Sequence, residues 1–375
     1  MSFPIEIRIV IPCYNEPDVL NTIRSLFNCQ RGNFGVEIIV VVNSYLISPE
    51  VVRILNLQTH KQLSDFAAIH NTSDFYLSTI YVENIPGHQT GAGLPRKIGM
   101  DEAVKHFQKE DNLNGIILSL DADCTVKENY LTEVFYHFKK YKLKSATIEF
   151  HHPVEHLENE IHKATEAYEE YLRYYRAALE YIGYPYSYYT IGSAFAVTVN
   201  AYLQVGGMGK QQAGEDFYFL QKIFPLGKTR FIDTTCVYPA ARTSDRVPFG
   251  TGPAIAKMLE EKQLKRYSYS VAAWKDLRFF FQKLDLFFDF SPQEIEEELK
   301  SLPSYMQSFL KEDEFLEKIT EIKKHTANKA NFKKRFFQYF TAFKILKYLN
   351  YVHPLHFELA EVHEQYSILS KKLSR

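Results

Sequence analysis

Asp121 and Asp123 stand one residue apart at the end of an apolar run, in "GIILSLDADCTVKENYL" (115–131). In an extended chain the side chains at i and i+2 point the same way, so the two carboxylates share one side while Ala122 takes the other. Two carboxylates a few ångströms apart repel each other unless a cation sits between or near them. Oxygen ligands suit Mg2+ or Mn2+, ions that usually keep several waters and bind substrate phosphates as well. The pair is therefore built to hold a metal that clamps a diphosphate. A lone D-x-D is common in solvated loops; its place at the end of a buried strand makes this one informative. A second acidic pair, Glu215 and Asp216 in "AGEDFYFLQKI", opens a helical pattern, where the helix dipole favours acids in the first turn.

These residues need elements to position them. Ile7–Ile11 ("IRIVI") is β-branched, bounded by Pro12, and reads as a buried strand. Asn15 to Leu26 follows at helical spacing, with Glu16 and Pro17 suited to a first turn. "VEIIVVV" (36–42), "LSTIYVE" (77–83) and "GIILSL" (115–120) read as further strands, and Gly93–Phe107 as a helix. Continuous apolar strands alternating with amphipathic helices predict an α/β domain: a Rossmann-like, mostly parallel sheet with helices on both faces. In such sheets ligands bind beyond the carboxyl ends of the strands. Pro12–Glu16, Asn43 and Asp121–Asp123 all fall at such ends, so one cleft is expected.

Downstream, His156–Ile182 is helical and Tyr-rich, and "YTIGSAFAVTVNAYLQVGG" gives a Gly-Ser turn, a strand, a short helix and a Gly-Gly stop. After Gly252 the chain turns to charged and aromatic helices. Ser291, Pro292 and Glu294 form a capping-box pattern. "NFKKRFFQYFTAFKILKYL" (331–349) reads as one basic amphipathic helix with Phe332, Phe336, Phe340 and Phe343 on one face. The expected division is residues 1–252 as the α/β domain that carries the acidic pairs and 253–375 as a helical C-terminal extension.

With a formal net charge of -1, the 375-residue chain lacks the basic excess a general nucleic-acid binder uses against phosphates. Four cysteines without C-x-x-C spacing indicate neither a zinc site nor a disulfide framework. The N-terminal residues lack signal-peptide character, and no apolar stretch is long enough to span a bilayer. A reducing, cytoplasmic setting is expected. Most of the aromatic residues, 15% of the chain, read as core filling.

"IRIVIPCYNEPDVLNTIRSL", "LSLDADC" and "GGMGKQQAGEDFYFL", in that order, resemble family-2 glycosyltransferases of the GT-A fold, over roughly residues 5–232. The three-part order is far more specific than any single motif. The resemblance implies a nucleotide-sugar donor, with Mn2+ or Mg2+, and transfer to an acceptor hydroxyl. It makes Asp123 the direct metal ligand and places Asp121 on the ribose or a metal-bound water. Asp216 becomes the general base, with Glu215 orienting it or the acceptor. Pro12, Tyr14 and Glu16 fall in the segment that helps hold the nucleoside. The sequence departs from the family after the second strand, where acids are usual and "VVNSY" places Asn43 and Ser44. Asn43 both donates and accepts hydrogen bonds, so it retains the means to read a base edge, but the change weakens the case for a UDP-sugar.

"GAGLPRKIGM" (91–100) resembles the family's Gly- and Arg-containing segment, with Arg96 or Lys97 approaching the nucleotide; a flexible turn capped by surface cations is the competing reading. Arg242 and Arg246 in "AARTSDRVPFGTGPA" suggest a loop that closes over a diphosphate, against a structural salt bridge to Asp245 or Asp233. His152 and His156 are four apart, but Pro153 disfavours helical geometry at His152 and a zinc site with it. Acceptors in view are carbohydrate, lipid-linked or small molecules. The basic C-terminal helix offers peripheral contact with an anionic membrane, against simple packing on the catalytic domain.

Two other readings compete. "DADCT" fits the D-x-D-x-T of haloacid-dehalogenase-type phosphatases, although those place it on the first strand. A degenerate GT-A binding module takes its support from Asn43.

Overall fold

In the computed structural model, residues 3–86, 91–209, 214–243 and 250–373 are described. The chain divides into two compact units, one of residues 1–165 and 188–257, the other of residues 166–187 and 258–375.

The first unit is built on a sheet of eight strands. In chain order these are β1 (Ile5–Cys13), β2 (Gly35–Tyr45), β3 (Phe75–Ile85), β4 (Ile116–Ser119), β5 (Cys124–Val126), β6 (Ser145–Phe150), β7 (Phe195–Thr198) and β8 (Thr229–Pro239). Helices α1 (Val19–Phe27) and α2 (Glu50–His70) connect the first three strands, and α3 (Gly93–Lys109) leads into β4. All eleven residues of β2 and all four of β4 and β7 are buried, as strands covered on both faces must be. The expected α/β class is present, with a helical C-terminal region. The sheet is mixed: β1–β2, β1–β4, β2–β3 and β6–β8 are parallel, whereas β4–β7, β6–β7 and β5–β8 are antiparallel.

The spatial order β3-β2-β1-β4-β7-β6-β8-β5 runs outward from β1 in both directions. The winding therefore reverses between β1 and β4, and a crevice opens beyond their carboxyl ends. Register decides what faces it. Val10 pairs with Ser119, so Pro12 and the residues after it lie level with Asp121–Asp123. Antiparallel β7 places Phe195 opposite Ser119, which brings Gly192 to the end of β4. Cys124 pairs with Pro239, so the chain leaving β8 passes Asp123. Helix α3 can lie close on the sheet because residue 99 is glycine: a Cβ there would stand 2.4 Å from the Val10 side chain.

The second unit is helical, and aromatic rings fill its interior. Phe280 lies 5.4 Å from Phe315 and 5.5 Å from Phe340, ring centre to ring centre, and the fully buried Trp274 packs edge-on against Tyr175 at 5.5 Å. The capping box at Ser291 and Glu294 forms. The basic segment expected to be one helix is two, Lys329–Tyr339 and Ala342–Val352. The Thr341 hydroxyl caps the second by accepting from the Lys344 N–H, a local bond that competes with continuing the first. Phe332, Phe336 and Phe340 are buried in this unit, while Phe343 is exposed. Among the described residues no helix is long and apolar enough to cross a membrane.

Candidate functional site

Arg96 organises the crevice. It lies in the first turn of α3, is 2% exposed, and uses three nitrogens. Nε donates to Glu215 Oε1 (3.2 Å), Nη2 to Asp121 Oδ1 (2.8 Å), and Nη1 to both Ser119 Oγ (2.6 Å) and the Gly192 carbonyl (3.0 Å). Burial works against its charge, but Asp121, Glu215 and Asp216 outweigh that and raise its pKa further. Of the two candidates in that segment, Arg96 is therefore the buried cation, whereas Lys97 turns to Asp101 at 2.6 Å.

Asp216 follows Glu215 at the start of helix α4 (Glu215–Ile223), one Oδ accepting from the Phe217 N–H at 2.7 Å. Burial and the adjacent Glu215 charge push its carboxyl up to about 7, against the pull of Arg96. A carboxyl poised near neutrality is suited to take a proton at physiological pH. Gly192 makes this packing feasible: a Cβ there would lie 2.8 Å from Arg96 Nη2 and 3.2 Å from Asp216 Oδ2.

Beside this hub lies a second ion cluster. Glu16, 1% exposed, and Asp123 both face Arg242. Arg242 Nη2 donates to Glu16 Oε2 and, at 2.9 Å, to Asp123 Oδ2, while Nη1 reaches Glu16 Oε1 at 3.4 Å. Glu16 also accepts from the Asp18 N–H ahead of α1 (3.3 Å), the helix-start role weighed for it in the sequence. Among the described residues Arg242 thus pairs with Glu16 and Asp123 rather than with the Asp233 considered above. Arg246 and Asp245 lie outside the described residues.

This arrangement bears on the metal expected at Asp121 and Asp123. A divalent ion needs carboxylate oxygens that are not facing another cation. Here Asp123 faces Arg242 and Asp121 faces Arg96. Among the described residues no group of three or more His, Cys, Asp or Glu is disposed to hold a metal. As arranged, one oxygen of each carboxylate, Asp121 Oδ1 and Asp123 Oδ2, is taken up by an arginine, which disfavours a Mg2+ or Mn2+ ion between them.

At the ends of β1 and β2, the rings of Tyr14 and Tyr45 are 4.7 Å apart, centre to centre, and the Tyr14 hydroxyl is 3.2 Å from Ser48 Oγ. The Tyr45 hydroxyl donates to the Gly91 carbonyl (2.8 Å) and accepts from its N–H (3.0 Å), tying the approach to α3 to β2. Asn43 is fully buried. Its amide lies near enough to Tyr45 to ease that hydroxyl's ionisation, which burial otherwise hinders, yet neither amide atom makes a sound hydrogen bond among the described residues. Pro12 is half-buried, paired in register with Val41. Buried His152 lies 3.3 Å from Thr251 Oγ1, and His156 is exposed.

The structure thus joins Arg96, Asp121, Glu215 and Asp216 in one cluster and Glu16, Asp123 and Arg242 in another. Sequence reasoning did not reach Ser119, Gly192 or Tyr45 as part of the site. The signal for Gly192 was the Gly-Ser turn before an apolar strand; nothing local marked Ser119.

The sequence matches no protein-family model and no curated protein. Among solved structures, S. aureus TarS 1-349 in complex with UDP-GlcNAc is similar at 12% identity and a TM-score of 0.42, over 64% of this chain and 60% of that one. GalNAc-T7 with UDP, GalNAc and Mn2+ is similar at 15% identity and a TM-score of 0.41, over 63% of this chain and 44% of that one. The chain thus spans less than two thirds of the length of either. At this identity the chemistry of the site follows from this chain's own side chains.

Proposed function

We propose that this protein is a glycosyltransferase that moves a sugar from a nucleotide-diphosphate donor to an acceptor hydroxyl, inverting by direct displacement with Asp216 as general base. The observation that carries the reading is Asp216 itself: a carboxyl pushed up to about 7, two residues into a helix that faces the switch point of the sheet. An alcohol is a poor nucleophile, and a base able to accept its proton as the C–O bond forms lowers the barrier. Arg96 holds Asp121 and Glu215 in place, so Glu215 serves to orient the acceptor or Asp216.

The nucleoside has a corresponding place. Half-buried Tyr14 offers aromatic surface backed by the buried Tyr45 ring, with Pro12 near the end of β1 and Glu16 after it flanking that surface. The Asn43 amide, unsatisfied among the described residues, is suited to a base edge. Fixed positive charge next to the leaving diphosphate stabilises the charge that builds there. Because the carboxylates of the D-x-D pair face arginines, no step here passes through a metal. The acceptor is a carbohydrate, a lipid-linked sugar or a small molecule bearing a hydroxyl.

The test is a thermal-shift panel of UDP, GDP, CDP, dTDP and their common sugar conjugates. A ligand that binds only the folded state raises its apparent stability by mass action. One nucleotide series raising the midpoint, with the shift reduced in Asn43→Ala, is the expected result. No shift with any nucleotide would refute the reading.

A further inference from the structure

Arg242 occupies the position where the sequence motif calls for a divalent cation. Its guanidinium bridges Glu16 and Asp123, the latter at 2.9 Å. These acids come from different parts of the chain: Glu16 follows β1 and Asp123 follows β4. Both lie at the carboxyl ends where the winding reverses. The contact is also fixed in register. The antiparallel β5–β8 ladder ends at Cys124–Pro239, three residues before Arg242, which sets the arginine beside the acid that precedes Cys124.

The two arginines of the site differ in what they leave available. Arg96 is enclosed, its side chain 3% exposed, and can act only on its protein partners. The Arg242 side chain is 36% exposed, so it can meet a ligand while still held by carboxylates. Glu16 and Asp123 raise its pKa against the opposing effect of burial, so it stays charged at any working pH. A metal ion placed on Asp123 would stand against this like charge. A guanidinium presents a planar fork of donors that matches phosphate oxygens, which supplies the diphosphate contact a metal would otherwise make.

We propose that Arg242 is the resident cation of this site: held by Glu16 and Asp123, it takes the place of a divalent metal and receives the donor diphosphate, so that donor binding needs no metal. The cation half of this inference stands on the ion cluster alone; the diphosphate half rests on the glycosyl-transfer reading.

Two measurements separate the halves. In the first, free Mn2+ is titrated with protein and followed by electron paramagnetic resonance. Wild type is expected to leave the Mn2+ signal unchanged. Arg242→Ala, shown folded by circular dichroism, is expected to gain a Mn2+ site that disappears in Arg242→Ala/Asp123→Ala. Wild type binding Mn2+ as tightly as Arg242→Ala would overturn the cation assignment, as would the absence of a gained site in the single variant.

In the second, UDP, GDP, CDP and dTDP are titrated calorimetrically into protein in EDTA and again with Mn2+. The expected result is the same affinity in both buffers for wild type. Arg242→Ala should bind about tenfold more weakly in EDTA, the effect of losing roughly one charge-assisted hydrogen bond. Binding by wild type only when Mn2+ is added would overturn the inference while leaving the glycosyl-transfer reading intact. Absence of nucleotide binding in both buffers would overturn that reading together with the diphosphate half, and the Mn2+ titration then judges the cation half by itself.

Discussion

Among its described residues the first unit contains two buried arginines, Arg8 within β1 and Arg96 on α3 beside the carboxyl end of β4. Arg8 sits on β1, five residues before its carboxyl end. Nε donates to Glu37 Oε2 at 2.6 Å, Nη1 and Nη2 donate to Glu110, and the guanidinium lies 3.9 Å from the centre of the Phe107 ring. Glu37 is completed by Ser78 Oγ at 3.0 Å and by His106. Arg96 likewise binds one buried carboxylate, Glu215, and one exposed one, Asp121 at 40% against 42% for Glu110. What differs is its place at the carboxyl ends of the strands and the pH-sensitive Asp216 next to it. A charge buried inside the strand layer against a buried carboxylate such as Glu37 is a structural element, costly to break. A charge buried beneath acids at the carboxyl end of the strands is placed to position those acids and set their protonation where a ligand binds.

The comparison breaks most visibly at Arg8. Arg8→Ala leaves Glu37 buried without its ion-pair partner, and the expected cost is about 3–5 kcal/mol of folding stability. Chemical denaturation measures it, while turnover per folded molecule stays at the wild-type value. Arg96→Met is expected to do the reverse in kind. Because Arg96 holds the Asp216 pKa down, its loss should move the pH of half-maximal turnover above the wild-type value, together with a fall in maximal rate, both read from a pH–rate profile. If Arg96→Met only destabilised the fold and left that profile in place, the two arginines would be alike.

Smaller changes sharpen the same contrast. Gly192→Ala puts a Cβ 2.8 Å from Arg96 Nη2, and overpacking of this kind typically costs about 1–3 kcal/mol. Turnover is expected to fall with it, because the atoms displaced are Arg96 and Asp216. The smallest pair is Ser119→Ala against Ser78→Ala. Each removes a hydrogen bond to a buried ionic cluster, worth about 1 kcal/mol by denaturation; Ser119→Ala also removes the bond Ser119 donates to the Gly192 carbonyl, and it alone should change turnover.

Much of this was legible because some signals are local. Apolar β-branched runs marked β1 to β4, and the abrupt change from "IILSL" to "DAD" marked the end of β4. The first-turn acids marked the helix carrying Asp216. What sequence did not show depends on contacts between distant segments. Nothing near Gly192 indicates that Arg96, 96 positions earlier, will lie against it. Strand direction is equally silent: β7 reads as an apolar strand whichever way it runs, and its antiparallel placement is what delivers Gly192 to Asp121. Helix α2 escaped notice because Val51, Ile54 and Leu57 are exposed, so its apolar residues do not form a buried stripe. Arg242 stood out in the sequence as a cation close to glycines, but its hold on Glu16 required the β5–β8 ladder.

The Asp216 titration also has a stability consequence. Its folded pKa of about 7 lies above its ordinary 3.8, so the folded state holds the proton more tightly than the unfolded chain. This group's contribution to stability is therefore fully present below about pH 4 and is lost as pH rises through about 7. Base catalysis has the opposite dependence, being available only once the proton has left.

The most direct test is the initial rate of nucleoside diphosphate release from the donor sugar that binds, followed for wild type and Asp216→Asn between about pH 5 and pH 9. The wild-type rate should rise with pH to half its maximum near 7. Asp216→Asn should bind the nucleotide normally, turn over about 10²–10⁴-fold more slowly, and lose that pH dependence. An Asp216→Asn variant that keeps the wild-type rate and profile would contradict the assignment of the base and, with it, the account of the site.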